Sequence, residues 1–193
     1  MTKTQYYTAT SIDGFIADQD NSLDWLFEVD QPGAGDSDGP GFYGPFFAEV
    51  GAMCMGSTTY EWVIAHEKLL ERPEKWQEWY ADRPSWVFTH RELPVVPGAN
   101  VTFVSGDVEP VHDAMVAAAA GRNVWLVGGG DLVGQFADSD RLDEVIVGVA
   151  PVFLGAGAPL LPRRILASRL TLVDVARYRQ FANLTYAVAP AAG

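Results

Sequence analysis

Short apolar runs, each closed by turn residues, recur along the first two thirds of the chain. Residues 5–10, QYYTAT, are rich in Tyr and Thr and predict a first strand, broken by the turn SIDG at 11–14. FIA at 15–17 is short and apolar, and residues 18–24 form a polar loop. Phe46, Phe47 and Val50 predict a short amphipathic helix ending at Gly51. AMCM at 52–55 predicts a second strand, buried on both faces, and GSTT at 56–59 a glycine turn that caps a helix opening at Tyr60. WVFT at 86–89 and VTFV at 101–104 predict two more strands, and residues 111–120 an alanine-rich helix closed by Gly121. VWLV at 124–127 is another buried strand; Gly128, Gly129 and Gly130 follow it, and Leu132, Val133 and Phe136 then recur at helical spacing. A long strand over 142–149 runs on irregularly past Pro151, and residues 170–178 and 181–188 alternate as a closing antiparallel pair. Strands alternating with helices and followed by a β-hairpin predict an α/β fold, three-layer α/β/α on a mixed sheet.

Composition narrows the setting. With 193 residues, 48% of them hydrophobic, a single domain spanning 1–193 with a sizeable core is expected. A formal net charge of −12 repels phosphate backbones and anionic lipid, so neither nucleic acid nor membrane is an expected partner. The lone Cys54, inside an apolar run, permits no internal disulfide and no cysteine-based zinc site. No run is long enough to span a bilayer and the first residues hold no long apolar segment, so a cytoplasmic location is expected.

The candidate chemistry lies at strand ends. A glycine turn feeding a helix presents unpaired N–H groups, a natural seat for phosphate, although a tight turn can need glycine for itself. Residues 56–59, 89–91 and 128–131 are three such ends, and ligands of open α/β sheets bind beyond the carboxyl ends of strands. Arg91 offers a planar fork for a phosphate or is a solvated loop charge, and His90 beside it is a surface residue or a ligand. No catalytic triad and no metal motif is visible, which points to chemistry carried by a cofactor. Asp13 is either a polar group at the substrate or a plain Asp-Gly turn; Asp24, Glu28 and Asp30 are further acids, and His112 is expected on an exposed helix face. The glycine-rich residues 30–44 are expected to form a long loop that acts as a lid.

The order TATSIDGFIA, MGSTTYEW, VFTHRE, VWLVGGGDLVGQF, LDEVIVGVAPVFLGAG resembles the dihydrofolate reductase superfamily. Within it the chain looks most like the branch of the riboflavin biosynthesis reductase, the RibD C-terminal domain. The resemblance implies a mixed sheet of about eight strands flanked by helices, with NADPH as cofactor. It implies that Gly56, Thr58, Thr59, Gly129, Gly130, Asp131, Leu132 and Val133 line the pyrophosphate site, and Ser57, Val127 and Gly128 are further cofactor-binding candidates. Ser57 stands where the family often has an arginine for the 2′-phosphate, a loss that Thr89, His90 and Arg91 are placed to offset. Ala9, Ile16 and Ala17 match the segment that borders the nicotinamide. Phe15 and Val127 replace a basic residue and a glutamate of the riboflavin reductases, which implies a substrate that is more apolar or at least different. Trp25 and Asp30 resemble the tryptophan and acid of the folate reductases.

The function these readings imply is an NADPH-dependent reductase that transfers hydride to a small heterocycle. Its type is 5-amino-6-(5-phosphoribosylamino)uracil reductase, with Asp13 and Asp30 as the candidate catalytic acids. The alternatives are dihydrofolate reductase activity, or a non-catalytic NADP-binding dimer of the same fold. A homodimer is expected, paired through the strand over 142–155.

Overall fold

The apolar runs line up side by side in a computed structural model that describes residues 1–29 and 43–191. β1 (Thr4–Thr10), β3 (Val50–Gly56), β4 (Ser85–Phe88), β5 (Val101–Val104), β6 (Asn123–Gly128) and β7 (Glu144–Val149) run parallel. β10 (Phe181–Val188) pairs antiparallel with β7, and β9 (Leu170–Tyr178) closes the hairpin. The order across the sheet is β5-β4-β3-β6-β1-β7-β10-β9, and β2 (Phe15–Ala17) pairs separately with β8 (Ala158–Pro159). Parallel strands need crossovers, and those between β1 and β7 contain α1 (Asp24–Val29), α2 (Tyr43–Ala48), α3 (Ser57–Glu67), α4 (Glu74–Tyr80), α5 (Val108–Ala118) and α6 (Gly130–Asp138).

Both faces of the sheet are covered. Successive side chains of a strand point to opposite faces, so Tyr6 and Tyr7 of β1 enter different cores. Tyr6 is fully buried with Met115 of α5 and Val133 and Phe136 of α6; its hydroxyl donates to the Leu160 carbonyl at 3.0 Å. Tyr7 packs on the other side, against a cluster with Met53, Tyr60, Trp76 and Trp125. The mixed eight-stranded sheet with helices on both sides and a closing hairpin is the α/β architecture expected from the pattern.

Four local readings change. α2 ends at Ala48, and Val50 and Gly51 already belong to β3. Gly51 is a strand position pressed by the end of α5, where a Cβ would stand 2.3 Å from the Ala119 carbonyl oxygen. α5 starts at Val108 and buries His112, whose ring meets the Thr4 hydroxyl at 2.7 Å. The helix has one face on the sheet, and His112 lies on it. β7 is flanked by β1 and β10 on its two sides, so it has no free edge with which to pair a second copy. Among the described residues no helix is long and apolar enough to cross a membrane.

Candidate active site

The site is built on the carboxyl ends of β3 and β6. Gly56 (φ −79°, ψ 164°) caps α3 and Gly129 (φ −77°, ψ 175°) caps α6, and neither helix start has a side-chain capping hydrogen bond. The first N–H groups of a helix have no intrahelical acceptor, and they carry its positive dipole end. Two such uncapped starts open into one cavity of about 1090 Å³. Ser57, Thr58 and Thr59 are the first turn of α3 itself, where the sequence suggested a turn ahead of the helix.

The three glycines of the second turn differ in role. Gly128 alone has a left-handed φ, 140°, and its bond to Gly129 is cis. A Cβ built on Gly129 would meet nothing within 4 Å, and one on Gly56 only Gly128 O and Gly129 N at 3.9 Å. That open space between the two turns is where an anion can come close to both backbones. On Gly130, by contrast, a Cβ would lie 2.4 Å from the carbonyl oxygens of Pro159 and Leu160. There the missing Cβ admits the protein's own backbone, not a ligand.

The sheet order sorts the rest of the lining. On the β4 and β5 side stand Thr89, His90, Arg91, Ser105 and Gly106. Thr89 Oγ1 accepts from the Arg91 N–H at 2.9 Å and tightens that turn. The Arg91 guanidinium donates to both Glu61 oxygens, at 2.9 and 2.6 Å, and this pairing holds its pKa above the ordinary arginine value. The pair is well exposed, so its own contribution to stability is small and a phosphate can compete for the fork. Asp131, at the start of α6, would repel an anion; Arg163 binds its carboxylate at 3.0 Å and that of Asp138 at 2.7 Å, which offsets the charge.

On the far side of the glycine turns lie Ala9, Ile16 and Ala17, then an end walled by Tyr7, Phe27, Tyr43, Trp125, Tyr178 and Phe181, with Gly148 and Asn183 between them. Burial pushes the Tyr43 hydroxyl up to about 12 and also raises Tyr7, so both remain donors at neutral pH. Arg83 anchors α2, which carries Tyr43: it donates to the Val50 and Phe47 carbonyls, and its guanidinium carbon sits 3.9 Å over the Phe47 ring.

Of the predicted cofactor residues, Val133 alone is not in the lining; it is fully buried in the core between α6 and the sheet. The structure does not bring Asp13 to the cavity either. Its carboxylate accepts from Ser11 Oγ at 2.6 Å, Leu154 N at 3.1 Å and Gly155 N at 2.7 Å, tying the first turn to the loop before β8. The Ser11 hydroxyl, and after it those backbone N–H groups, lower its pKa, the opposite of what a proton donor needs. Asp30, and most of the proposed lid, lie outside the described residues. Sequence reasoning missed Ser105 and Gly106, which carry no motif, and the aromatic end, whose residues are far apart in the chain.

Comparison with known proteins agrees with this fold. The RibD C-terminal domain profile matches residues 2–182. The uncharacterized Bacillus subtilis (strain 168) protein YwjB is 34% identical over 184 residues, 95% of this chain and 97% of its own. Among solved structures, a putative riboflavin biosynthesis protein from Shewanella sp. PV-4 superposes with a TM-score of 0.75 at 24% identity, covering 97% of this chain and 99% of that one. A diaminohydroxyphosphoribosylaminopyrimidine deaminase/5-amino-6-(5-phosphoribosylamino)uracil reductase from Thermotoga maritima gives 0.63 at 14% identity, covering 97% of this chain and 57% of that one. The chain belongs to the RibD C-terminal domain family, a reductase family with the dihydrofolate reductase-like fold.

Proposed function

We propose that this protein is an NADPH-dependent reductase acting on a small heterocycle. The observation that carries the reading is the pair of uncapped helix starts opening between two glycine turns, with an arginine on one side and an aromatic chamber on the other. The donor set fits a dinucleotide. The N–H groups of α3 and α6 would hold the pyrophosphate, and Arg91 with Thr89 and His90 in the lining would take the adenosine 2′-phosphate. Ala9, Ile16 and Ala17 border the nicotinamide. When bound, NADPH supplies a hydride to a C=N or C=O carbon; with one proton on the nitrogen or oxygen the product is the saturated amine or alcohol, and NADP⁺ leaves. The chain would orient the acceptor against aromatic faces, exclude water, and keep the tyrosines of the lining protonated. A folate reductase would need an acid at the substrate; the one lining carboxylate among the described residues is Asp131, at the pyrophosphate turn and paired with Arg163.

Calorimetric titration with NADPH and with NADH tests the reading. NADPH is expected to bind at least tenfold more tightly, about 1.4 kcal/mol, and Arg91→Ala to remove most of that preference. Equal binding of both would leave Arg91 without a phosphate role. Binding of neither would overturn the reductase reading.

A further inference from the structure

The two ends of the cavity differ in charge. Among the described lining residues, the cationic and imidazole groups are Arg91 and His90, and both lie on the β4 side of the glycine turns. The opposite end presents the faces of Tyr7, Phe27, Tyr43, Trp125, Tyr178 and Phe181 and no lysine or arginine. The guanidinium of Arg179 lies 5.5 Å over the Tyr178 ring and is not part of the lining. The chain as a whole carries a net charge of −12. A phosphate carried into that end would lose its water and meet no cation of the lining, against an unfavourable overall field. Arg83, which acts on Tyr43, is already engaged by the Val50 and Phe47 carbonyls. Planar rings, in contrast, find several aromatic faces to lie against.

One polar group there lacks a partner. Asn183 of β10 is only 7% exposed and lines the cavity, yet its Nδ2 has no hydrogen-bond acceptor. Its neighbour across the sheet is Gly148, where a Cβ would stand 3.2 Å from Asn183 Oδ1. The small neighbour leaves the carboxamide free to turn about χ2 and present N–H or C=O to a ligand. A buried amide without a partner is costly, and a ligand that pairs with it gains selectivity over one that does not.

We propose that the substrate is an uncharged, planar nitrogen heterocycle bearing no phosphate, stacked in the aromatic end and hydrogen-bonded through a ring carbonyl or ring N–H to the Asn183 carboxamide. The proposal rests on the reductase reading above and departs from the phosphoribosyl substrate named for the Thermotoga maritima enzyme. Arg91 then serves the cofactor alone.

The test is calorimetry on the full chain saturated with NADP⁺, using 5-amino-6-(ribosylamino)uracil and its 5′-phosphate, which share one ring and differ by the phosphate. The unphosphorylated compound is expected to bind at least tenfold more tightly. Asn183→Leu is expected to weaken its binding tenfold or more while NADP⁺ still binds, and that retained binding reports an intact fold. If the leucine variant does not fold, Asn183→Asp keeps the side-chain size, replaces the amide by a charge, and is expected to show the same loss. Equal or tighter binding of the phosphate overturns the proposal, as does failure of both compounds to bind protein that holds NADP⁺. Unchanged ring affinity in a folded Asn183 variant overturns the role given to that residue. Failure to bind NADP⁺ at all would instead overturn the reductase reading.

Discussion

A methyl group added at Gly56 has room, because the nearest atoms would be 3.9 Å away, but it would occupy the gap between the two glycine turns. Gly56→Ala is therefore expected to weaken NADPH binding tenfold or more, while the melting temperature moves by less than about 2 °C. The same change at Gly130 drives a Cβ to 2.4 Å from two backbone oxygens. Overpacking of that kind costs about 1–3 kcal/mol, read as roughly 2–4 °C of melting temperature per kcal/mol in a chain of this size. Asp13 makes a third contrast. Asp13→Asn is expected to leave cofactor affinity unchanged and to lower the melting temperature at neutral pH, because the charged form is the one its donors hold. Its folded pKa lies below the unfolded one, so this difference is full above about pH 3.9 and disappears as pH falls through the folded value. A variant that loses cofactor binding instead would return Asp13 to the site.

At the scale of elements, α5 is fastened to β1 by a titratable contact. His112 is buried against Thr4, with Arg141 near it, and burial first and Arg141 second hold its pKa below the ordinary value. Asp113 and Asp143 pull the other way. An unfolded chain takes up the proton first, so the neutral ring's contribution is complete above about pH 6.5 and is lost as pH falls through the lowered folded value. The melting temperature is expected to fall from pH 7 to pH 5 more steeply in the wild type than in His112→Gln. Parallel curves for the two proteins would show that α5 docks without regard to that proton.

For the whole molecule, the edge to watch is β9. It is the last strand of the sheet, paired with β10 on one side only, and Leu172, Val173 and Val175 on it are each more than half exposed. An apolar edge strand invites a second strand. A homodimer of this chain is expected to join there, in place of the interior β7. Sedimentation equilibrium should give twice the 21.0 kDa mass for the wild type. Val173→Lys with Val175→Lys should return the monomer; a dimer that survives both charges would place the interface elsewhere.

Strand runs, helix stretches and glycine turns were legible in the sequence because periodicity and turn chemistry are local, and their order carried the family resemblance and, with it, many residues that line the cavity. The roles of particular side chains were not, because each depends on a partner distant in the chain. Arg91 meets Glu61 across 30 positions, and Asp13 meets Gly155 across 142, which made one an exposed ion pair at the cavity rim and the other a tie between two loops. Val133 and Leu132 are adjacent apolar residues of one helix and both are buried in the core, but only Leu132 also reaches the cavity, which depends on how the helix sits against the sheet. The sequence by itself determined the elements, the acidic charge and the anion-friendly turns. The tertiary structure decided which face each residue presents, and so separated the cationic end of the cavity from the uncharged one, because that separation follows from strand order across the sheet and not from position along the chain.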